Sequence, residues 1–303
     1  MMKLKRLTLD DKSKIESFTL KFPPYSDFNF ISLYSWSLHS QTFYYLDEEL
    51  FVIRMPDYSS QDFIYTFMIL DNIPYNFLRV VKSFNQNNGL KFNFLPEVII
   101  DELSEYLEGH NINHRLIENR DEFDYLLDVD LSANAVGKQY SDFRYKISKF
   151  KREWLPKVNP YNFDPTNNKD IKLAENLLND WVTNKQPNGL NYEYESLAYS
   201  RFLTIAKYSD ALRFKAYEYK GKLVCLCSYE LLDNKISIGH FVKYDPIITN
   251  ILPFVINEVC KDLKLEGFKT INIEQDLGIP SLRVSKEHLR PVGFLKKYTL
   301  EVY

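Results

Sequence analysis

The stretch INIEQDLGIPSLRVSK, Ile271 to Lys286, decides the fold of this chain. It starts as an alternating apolar run, which predicts a strand, and continues into acid and amide side chains. A glycine turn follows at Gly278, and Pro280 suits the first turn of a short helix, where its missing N–H costs nothing. Asp276 is therefore expected at a strand end near a helix N-terminus, where open α/β folds often bind ligands.

Two interpretations of this stretch stay open. In the structural one, Asp276 caps the helix and pairs with Arg283 or Lys286. In the functional one, Glu274 and Asp276 share a strand face opposite Gln275, and either acid serves as a base or binds an ammonium group. An acid near a helix N-terminus should stay ionised, which suits Asp276 better to ammonium binding. Arg283 and Lys286, three residues apart on a helix, can hold a carboxylate or phosphate.

Length and composition set the first limits. The chain has 303 residues, of which 45% are hydrophobic, so about two domains with a sizeable core are expected. Only 9 glycines are present, which argues against folds built on glycine-rich phosphate loops. A net charge of -3 gives the whole chain no general attraction to nucleic acid or to an anionic membrane.

The cysteines and histidines indicate neither disulfides nor a metal. Cys225 and Cys227 alternate in a strand-like run and Cys260 lies in a helical pattern, so all three are expected to be buried in a reducing compartment. No CxxC or HExxH pattern occurs and the 5 histidines are scattered, so no metal site is expected. His240 and His288 are weaker candidates for a general base.

The apolar runs are too short for a membrane anchor. The N-terminal residues lead directly to Asp10 and Asp11, so no signal peptide is expected. The longest apolar run, Phe63 to Leu70, is far shorter than the roughly 20 residues that span a bilayer. We therefore expect a soluble, cytoplasmic protein without stable membrane insertion, and its oligomeric state stays open.

Residues 1–158 predict an α/β domain with a largely antiparallel sheet. Two short helices precede a hairpin, in which Gln41–Leu46 and Leu50–Met55 flank a turn of three acidic residues. Helices and strands follow, with a turn at Asn85–Gly89. A proline-containing segment, 156–168, then marks the predicted domain boundary.

Residues 159–303 predict a second domain. Two helices flank a polar loop at Gln186–Asn191, and three antiparallel strands follow. A helix that ends at Gly267 leads to the strand Thr270–Ile273, the short helix and a terminal strand. This order matches a GNAT-like N-acyltransferase domain, and the first half fits the same layout less cleanly. The predicted fold class is α+β, with two GNAT-like domains in tandem and mostly antiparallel mixed sheets flanked by helices.

The most basic stretch of the chain, residues 136–154, predicts an amphipathic helix. Its apolar face recurs at three- and four-residue steps and consists of Tyr140, Phe143, Ile147, Phe150 and Trp154. The opposite face carries Lys138, Lys149 and Arg152, and Arg144 flanks the apolar stripe. This face is either an ordinary solvated surface or a binding surface for phosphates. Tyr140, Tyr145 and Trp154 could stack on bases if they are exposed, whereas the spacing of Tyr140 and Trp154 favours a place in the core.

These two stretches resemble the phosphatidylglycerol lysyltransferase C-terminal domains, above all a soluble branch of unknown function. The basic helix matches that branch at Gly137, Lys138, Arg144 and Phe150. The late stretch matches at Asn272, Asp276, Leu277, Gly278, Leu282, Arg283, Lys286 and Pro291. The chain departs from the branch at Phe143, Tyr145, Ser281 and Leu289, where lysine, asparagine, glycine and tyrosine are frequent.

The resemblance implies transfer of an acyl group, typically aminoacyl from a charged tRNA, to a hydroxyl or amine of a small-molecule or peptide acceptor. No cofactor is required beyond that donor. The predicted catalytic residues are Asp276, Glu274 and Lys286. The predicted substrate-binding residues are Asn272, Gln275, Arg283, Lys138, Arg144, Lys149 and Arg152.

Acyl-CoA is a less favoured donor than charged tRNA. In an ordinary acetyl-CoA enzyme of this layout, a glycine-bearing loop before the helix holds the pyrophosphate. Here the corresponding residues, 243–250, contain no glycine and carry Asp245. Two alternatives to the tRNA-dependent enzyme stay open: a binding or regulatory module that kept the fold without the chemistry, and a CoA-dependent N-acetyltransferase. The first predicts acids locked in buried ion pairs, and the second predicts stabilisation by acetyl-CoA.

Overall fold

The computed structural model describes residues 2–57, 62–84, 89–185 and 192–303. Residues 85–88 and 186–191, on which a turn and a polar loop are predicted, lie outside the described residues. The chain divides into two compact units. The first contains Met1–Asp124, Gln275–Gly278 and Leu295–Tyr303, and the second contains Tyr125–Glu274 and Ile279–Phe294. The predicted domain boundary between residues 158 and 159 stays a prediction.

Strands and helices are interspersed along the described residues. The strands are β1 Lys5–Arg6, β2 Phe43–Leu46, β3 Leu50–Pro56, β4 Phe63–Ile69, β5 Leu90–Pro96, β6 His114–Glu118, β7 Asp124–Asp128, β8 Asn159–Tyr161, β9 Leu212–Tyr219, β10 Lys222–Leu231, β11 Ile236–Tyr244, β12 Thr270–Asn272, β13 Gly293–Leu295 and β14 Lys297–Val302. The helices are α1 Lys12–Thr19, α2 Phe30–Ser35, α3 Ile73–Phe84, α4 Ile100–Gly109, α5 Val129–Asn134, α6 Ser141–Glu153, α7 Asn168–Lys185, α8 Glu193–Ala206, α9 Ile251–Leu265 and α10 Pro280–Glu287.

The first unit contains two antiparallel sheets, in the orders β1-β2-β3-β4 and β5-β14-β6. The predicted hairpin is confirmed, because Leu46 pairs with Phe51 across the acidic turn. The Asp47 carboxylate closes this turn by accepting the N–H groups of Glu49 and Leu50 at 3.1 and 2.9 Å. Apolar residues of both sheets and of α3 and α4 share one core, which includes Val52, Phe67, Phe77, Phe92, Leu103 and Leu300.

The second unit contains a seven-stranded sheet in the order β13-β7-β12-β11-β10-β9-β8. Strands β9, β10 and β11 are antiparallel, as predicted from the second half of the sequence. Helix α9 then connects β11 to β12, which pair in parallel. A parallel pair needs such a crossover connection. The predicted mixed α/β class, with mostly antiparallel sheets flanked by helices, is confirmed.

The apolar face predicted for the basic stretch is the buried face of α6. Tyr140, Phe143, Ile147 and Phe150 belong to the core of the second unit. Phe150 stacks on Phe254 of α9 with ring centroids 4.3 Å apart. All three cysteines are buried as predicted, and burial raises the pKa of the Cys227 and Cys260 thiols to about 12. They are therefore inert packing groups.

The helices of this chain are short or polar by membrane standards. Within residues 2–57, 62–84, 89–185 and 192–303, none is both long and apolar enough to cross a membrane.

Candidate functional site

The two central strands of the second unit separate after a short parallel ladder. Strands β11 and β12 pair at three positions, the last being Ile238 with Asn272, where β12 ends. Strand β11 continues to Tyr244 while paired with β10. The backbone beyond the last pair therefore diverges at the carboxyl end of β12. Polar groups of β10, β11 and the residues after β12 gather at this opening.

A bulge in β11 sets the direction of His240. Gly239 pairs with Tyr229 and Val242 with Cys227, so His240 and Phe241 together face the single residue Ser228. The Ser228 hydroxyl bridges the bulge, accepting from the Phe241 N–H and donating to the Phe241 carbonyl, both at 3.1 Å. A bulge re-aims side chains that strict alternation would send to opposite faces.

His240 lies between two carboxylates. Its Nε2 is 3.3 Å from Oε2 of Glu230 on β10, and its Nδ1 is 3.6 Å from Oε1 of Glu274. The His240 and Glu230 side chains are each 1% exposed, whereas Glu274 is 22% exposed. Burial lowers the pKa of His240, but Glu230 and Glu274 outweigh this effect and raise the pKa to about 9. The imidazole is therefore charged at neutral pH.

The backbone of Glu274 is held in the left-handed region, at φ 59°. Its N–H donates to the Asn272 side chain at 2.7 Å. Its carbonyl accepts from the Tyr125 N–H and from the Lys286 ammonium, both at 3.2 Å. Lys286 also donates to the Ile273 carbonyl. Such a conformation persists in a residue other than glycine only when its surroundings hold it. Asn272 and Lys286, both predicted site residues, thus position Glu274.

Asp276 is fully buried in the first unit. Its Oδ1 accepts the Gly278 N–H at 2.9 Å, and its Oδ2 lies 3.3 Å from Arg120. Gly278 has φ +68°, and a Cβ there would lie 2.8 Å from the Asp121 carboxylate, so the turn requires glycine. The structural interpretation of Asp276 therefore holds in part: the acid closes a turn and forms an ion pair, and Arg120 is one partner of that pair.

Gln275 belongs to a buried polar cluster of the first unit. Its Oε1 accepts the Ser26 hydroxyl at 2.7 Å. The Ser26 backbone N–H donates to Asp124 at 2.8 Å. The Lys297 ammonium lies 2.8 Å from Asp124 and also contacts Asp27. Burial lowers the pKa of Lys297, but Asp124 and Asp27 outweigh it and raise the pKa above its ordinary value. The polar groups of this cluster are engaged with one another, and their contacts connect segments of the first unit that are distant in sequence.

The basic face of α6 is accessible to solvent. Lys138 and Arg152 are exposed, Lys149 is partly exposed, and Tyr145 is 61% exposed. Arg144 differs, since its guanidinium donates to the carbonyls of Ala135 and Gly137 at 2.5 and 2.7 Å and so caps the end of α5.

Of the aromatic residues considered for base stacking, Tyr140 is buried, and Trp154 is half-buried and donates to Thr249 at 3.1 Å. Tyr145 is therefore the best exposed of the three rings. Arg283 is partly exposed on α10, and His288 is exposed just beyond it.

The loop before α9 is bonded to itself. The Ile247 N–H donates to the Asp245 carboxylate at 2.9 Å, and the Ile248 N–H to the Asp245 carbonyl at 3.0 Å. The Thr249 N–H donates to the Ile247 carbonyl at 3.0 Å. The amides of Ile247, Ile248 and Thr249 are thereby engaged within the loop, and the Asp245 carboxylate accepts one of them.

The sequence did not predict two groups of residues that pair with the ionisable groups described above. Arg120 and Lys297 pair with acids far away along the chain, and no local pattern signals them. Glu230 had a signal: it is a single acid in the otherwise apolar and buried strand β10. A buried acid implies a partner. The predicted catalytic and binding roles of the site residues stay predictions.

A central parallel strand pair beside a crossover helix, within a mostly antiparallel sheet, defines the class of the fold as mixed α/β, with ionisable groups at the strand opening. The sequence of the chain specifies the family. The sequence model described as phosphatidylglycerol lysyltransferase, C-terminal, matches residues 22–301. The chain belongs to this family, as the resemblance in the two motifs predicts. No curated protein matches the chain.

Three solved structures share this fold. A conserved protein of unknown function from Bacteroides thetaiotaomicron superposes with TM-score 0.84 at 21% identity, with 100% of both chains covered. A C-terminal domain named for a lysylphosphatidylglycerol synthetase of Agrobacterium fabrum gives 0.66 at 10% identity, covering 97% of this chain and 91% of that one. L-PGS from Bacillus licheniformis gives 0.62 at 13% identity, covering 96% and 91%. At such identities the likeness concerns the fold alone.

Proposed function

We propose that this protein transfers an aminoacyl group from a charged tRNA to a hydroxyl or amine acceptor. The observation that carries the proposal is the loop before α9. Its Ile247, Ile248 and Thr249 amides are engaged inside the loop around Asp245, at the position where a CoA pyrophosphate would need free donors. The donor is then held elsewhere, and family membership favours a charged tRNA.

The proposed binding surface for the tRNA donor is the exposed face of α6 together with the residues just before this helix. Lys138, Lys149 and Arg152 supply cations for backbone phosphates. Tyr145, 61% exposed beside them, supplies a ring on which an unpaired base can stack. The net charge of -3 is spread over the whole chain, so binding depends on this local concentration of positive charge.

The transfer step exchanges one acyl bond for another. The oxygen or nitrogen of the acceptor attacks the ester carbonyl carbon, and a new bond forms between them. The bond from that carbon to the ribose oxygen of the tRNA breaks, and the proton lost by the acceptor ends on that oxygen. In this proposal Glu274, held by Asn272 and Lys286, faces the reacting groups at the opening between β11 and β12.

Transfer of labelled amino acids tests this proposal. Purified protein is incubated with tRNA charged with labelled amino acids and with small-molecule and peptide acceptors. We expect label to move to an acceptor, and we expect a Lys149→Ala/Arg152→Ala variant to lose most of the transfer. A Lys207→Ala/Lys222→Ala variant, which removes two exposed lysines outside α6, should keep it. Absence of both transfer and tRNA binding at low salt would falsify the proposal.

A second candidate is a binding module without chemistry. It is favoured by Asp276, which is fully buried and paired with Arg120 rather than open to substrate. This candidate predicts tRNA binding through α6 with no transfer under any condition. The CoA-dependent alternative predicts a rise in melting temperature with millimolar acetyl-CoA, and we expect no such rise.

A further inference from the structure

The ion cluster consists of the predicted catalytic residue Glu274, the weaker general-base candidate His240 and the buried acid Glu230. We propose that His240, supported by Glu230, is a positioning residue that holds the Glu274 carboxylate at the strand opening to bind the α-ammonium group of the aminoacyl donor. This inference rests on the proposed aminoacyl transfer and deepens it, because it assigns the recognition of the amino group to one carboxylate.

The geometry of β11 prepares His240 for this task. The bulge opposite Ser228 turns His240 and Phe241 to the same side, since both rings contact Phe202 of α8, with centroids 6.0 and 5.0 Å away. Without the extra residue, strand alternation would place these neighbours on opposite faces. The bulge thus brings the imidazole of β11 between an acid of β10 and the acid that follows β12.

The three neighbours of the His240 imidazole differ in burial and charge. Glu230 on β10 is 1% exposed and faces Nε2 at 3.3 Å, so it anchors the ring from the buried side. Glu274 faces Nδ1 at 3.6 Å, and its side chain is 22% exposed, so solvent reaches part of it. Helix α8 contributes the uncharged ring of Phe202.

The charge of the cluster suits an ammonium ligand. Two carboxylates flank the one imidazolium, and the Lys286 ammonium contacts the backbone carbonyl of Glu274 at 3.2 Å, so the carboxylates supply the acceptors that an ammonium ligand needs. A carboxylate offers about four acceptor positions, so Glu274 can keep its imidazolium partner and accept further donors. The α-ammonium group is the cation nearest to the reacting ester carbonyl of an aminoacyl donor. Binding it at Glu274 therefore also places the carbonyl at the strand opening.

Proton NMR of the histidine Cε1–H groups of the full chain provides a test that needs no enzymatic activity. His240→Gln identifies the His240 signal among the 5 histidines. L-alaninamide, which carries an α-ammonium group and no carboxylate, is added at pH 6.5. We expect a saturable shift of the His240 signal over the millimolar range, and no shift with N-acetyl-L-alaninamide, which lacks the charge.

Two variants separate positioning from general effects. Glu274→Gln should abolish the shift and lower the pH midpoint of His240 from about 9, and Glu230→Gln should lower the midpoint and weaken binding. Glu266→Gln, an exposed acid at the end of α9, should change neither. Circular dichroism confirms that each variant is folded. The inference is overturned if the His240 signal of the wild type does not shift with alaninamide. It is also overturned if His240 titrates with an ordinary pH midpoint near 6.5.

The outcome is separable from that of the proposed function. If alaninamide binds at Glu274 and no charged tRNA serves as donor, aminoacyl transfer from tRNA is lost and the ammonium site stands. If transfer occurs and His240→Gln transfers with an unchanged KM and pH profile, the positioning role is lost and the proposed function stands.

Discussion

Lys297 shows at the scale of one residue how the first unit depends on charge compensation. Its side chain is 0% exposed and lies between Asp27 and Asp124, which are 8% and 0% exposed. A buried ion pair is weak evidence for stability, but removal of one partner leaves an uncompensated buried charge. The cost of changing Lys297 therefore comes mainly from the two carboxylates that remain.

We expect Lys297→Met to destabilise the protein by about 3–5 kcal/mol because Asp27 and Asp124 lose their cation. Urea denaturation measures the change. Lys296→Met is the matched control, since this neighbouring side chain is 40% exposed and should change stability by less than about 0.5 kcal/mol. Equal effects of the two substitutions would contradict the role assigned to the cluster.

Glu122 gives the first unit a pH dependence. Burial raises its pKa to about 7, the charge of Asp27 adds to this, and Lys297 partly offsets it. Its Oε2 is buried and accepts no hydrogen bond from any residue in the described part of the chain. Because the folded pKa lies above the ordinary 4.5, its contribution to stability is present below about pH 4.5 and is lost as the pH rises through about 7.

Glu122→Gln should remove this pH dependence, since the amide resembles the protonated acid at every pH. At about pH 8 we expect the variant to be more stable than the wild type by on the order of 2 kcal/mol, with little difference near the ordinary pKa. Denaturation curves across this range measure the difference. Glu105→Gln, at an exposed acid of α4, should leave the pH dependence intact. Parallel curves for Glu122→Gln and the wild type would refute the assignment.

The side chains of helix α6 have three different environments: some pack in the core, one caps α5, and others face solvent. Phe143, Ile147 and Phe150 are buried in the core of the second unit, which is what its period predicts. Arg144 belongs to the predicted binding set, but its guanidinium caps α5 through two carbonyls. Lys149 and Arg152 remain directed to solvent. Basic residues of the same helix thus have different roles, since Arg144 caps a neighbouring helix whereas Lys149 and Arg152 face solvent.

Arg144→Ala should therefore lower stability by about 1 kcal/mol, because the Ala135 carbonyl at the end of α5 and the Gly137 carbonyl after it lose a charged donor. Thermal or urea denaturation measures the loss. Lys151→Ala removes an exposed cation from the same helix and should be nearly neutral. If Arg144→Ala keeps its stability and loses only tRNA binding, Arg144 has the predicted binding role and not the capping role.

The proposed tRNA binding depends on the charge distribution of the whole molecule, because a chain of net charge -3 must present its cations in one place to bind RNA. We expect tRNA binding to weaken steeply with salt, and Lys149→Ala/Arg152→Ala to reduce the slope by about 1.5. Tyr145→Ala should weaken binding by about 1–3 kcal/mol with little change of slope, since stacking releases no counterions. Filter binding across a salt series measures both effects. If the salt slope of Lys149→Ala/Arg152→Ala equals that of the control Lys207→Ala/Lys222→Ala, α6 is excluded as the contact.

Local pattern predicted much of the second unit. The order of β9, β10, β11, α9 and β12 follows from alternating and helical periods, each of which depends on residues close in sequence. The turn at Asp47 and the buried face of α6 are local in the same way. The candidate site was predicted only in part, because Asn272, Glu274 and Lys286 meet near their own stretch while Glu230 and His240 join them through strand pairing and a bulge.

The residues 271–286 by themselves determined a strand, a glycine turn and a proline-started helix, because those features depend on local chemistry. Only the tertiary structure decided the partners of the acids. Asp276 pairs with Arg120, 156 positions away, and Glu274 faces His240 on the neighbouring strand. Such pairs form where the sheets and turns bring distant segments together, and burial then decides which acid is locked in place and which one meets solvent.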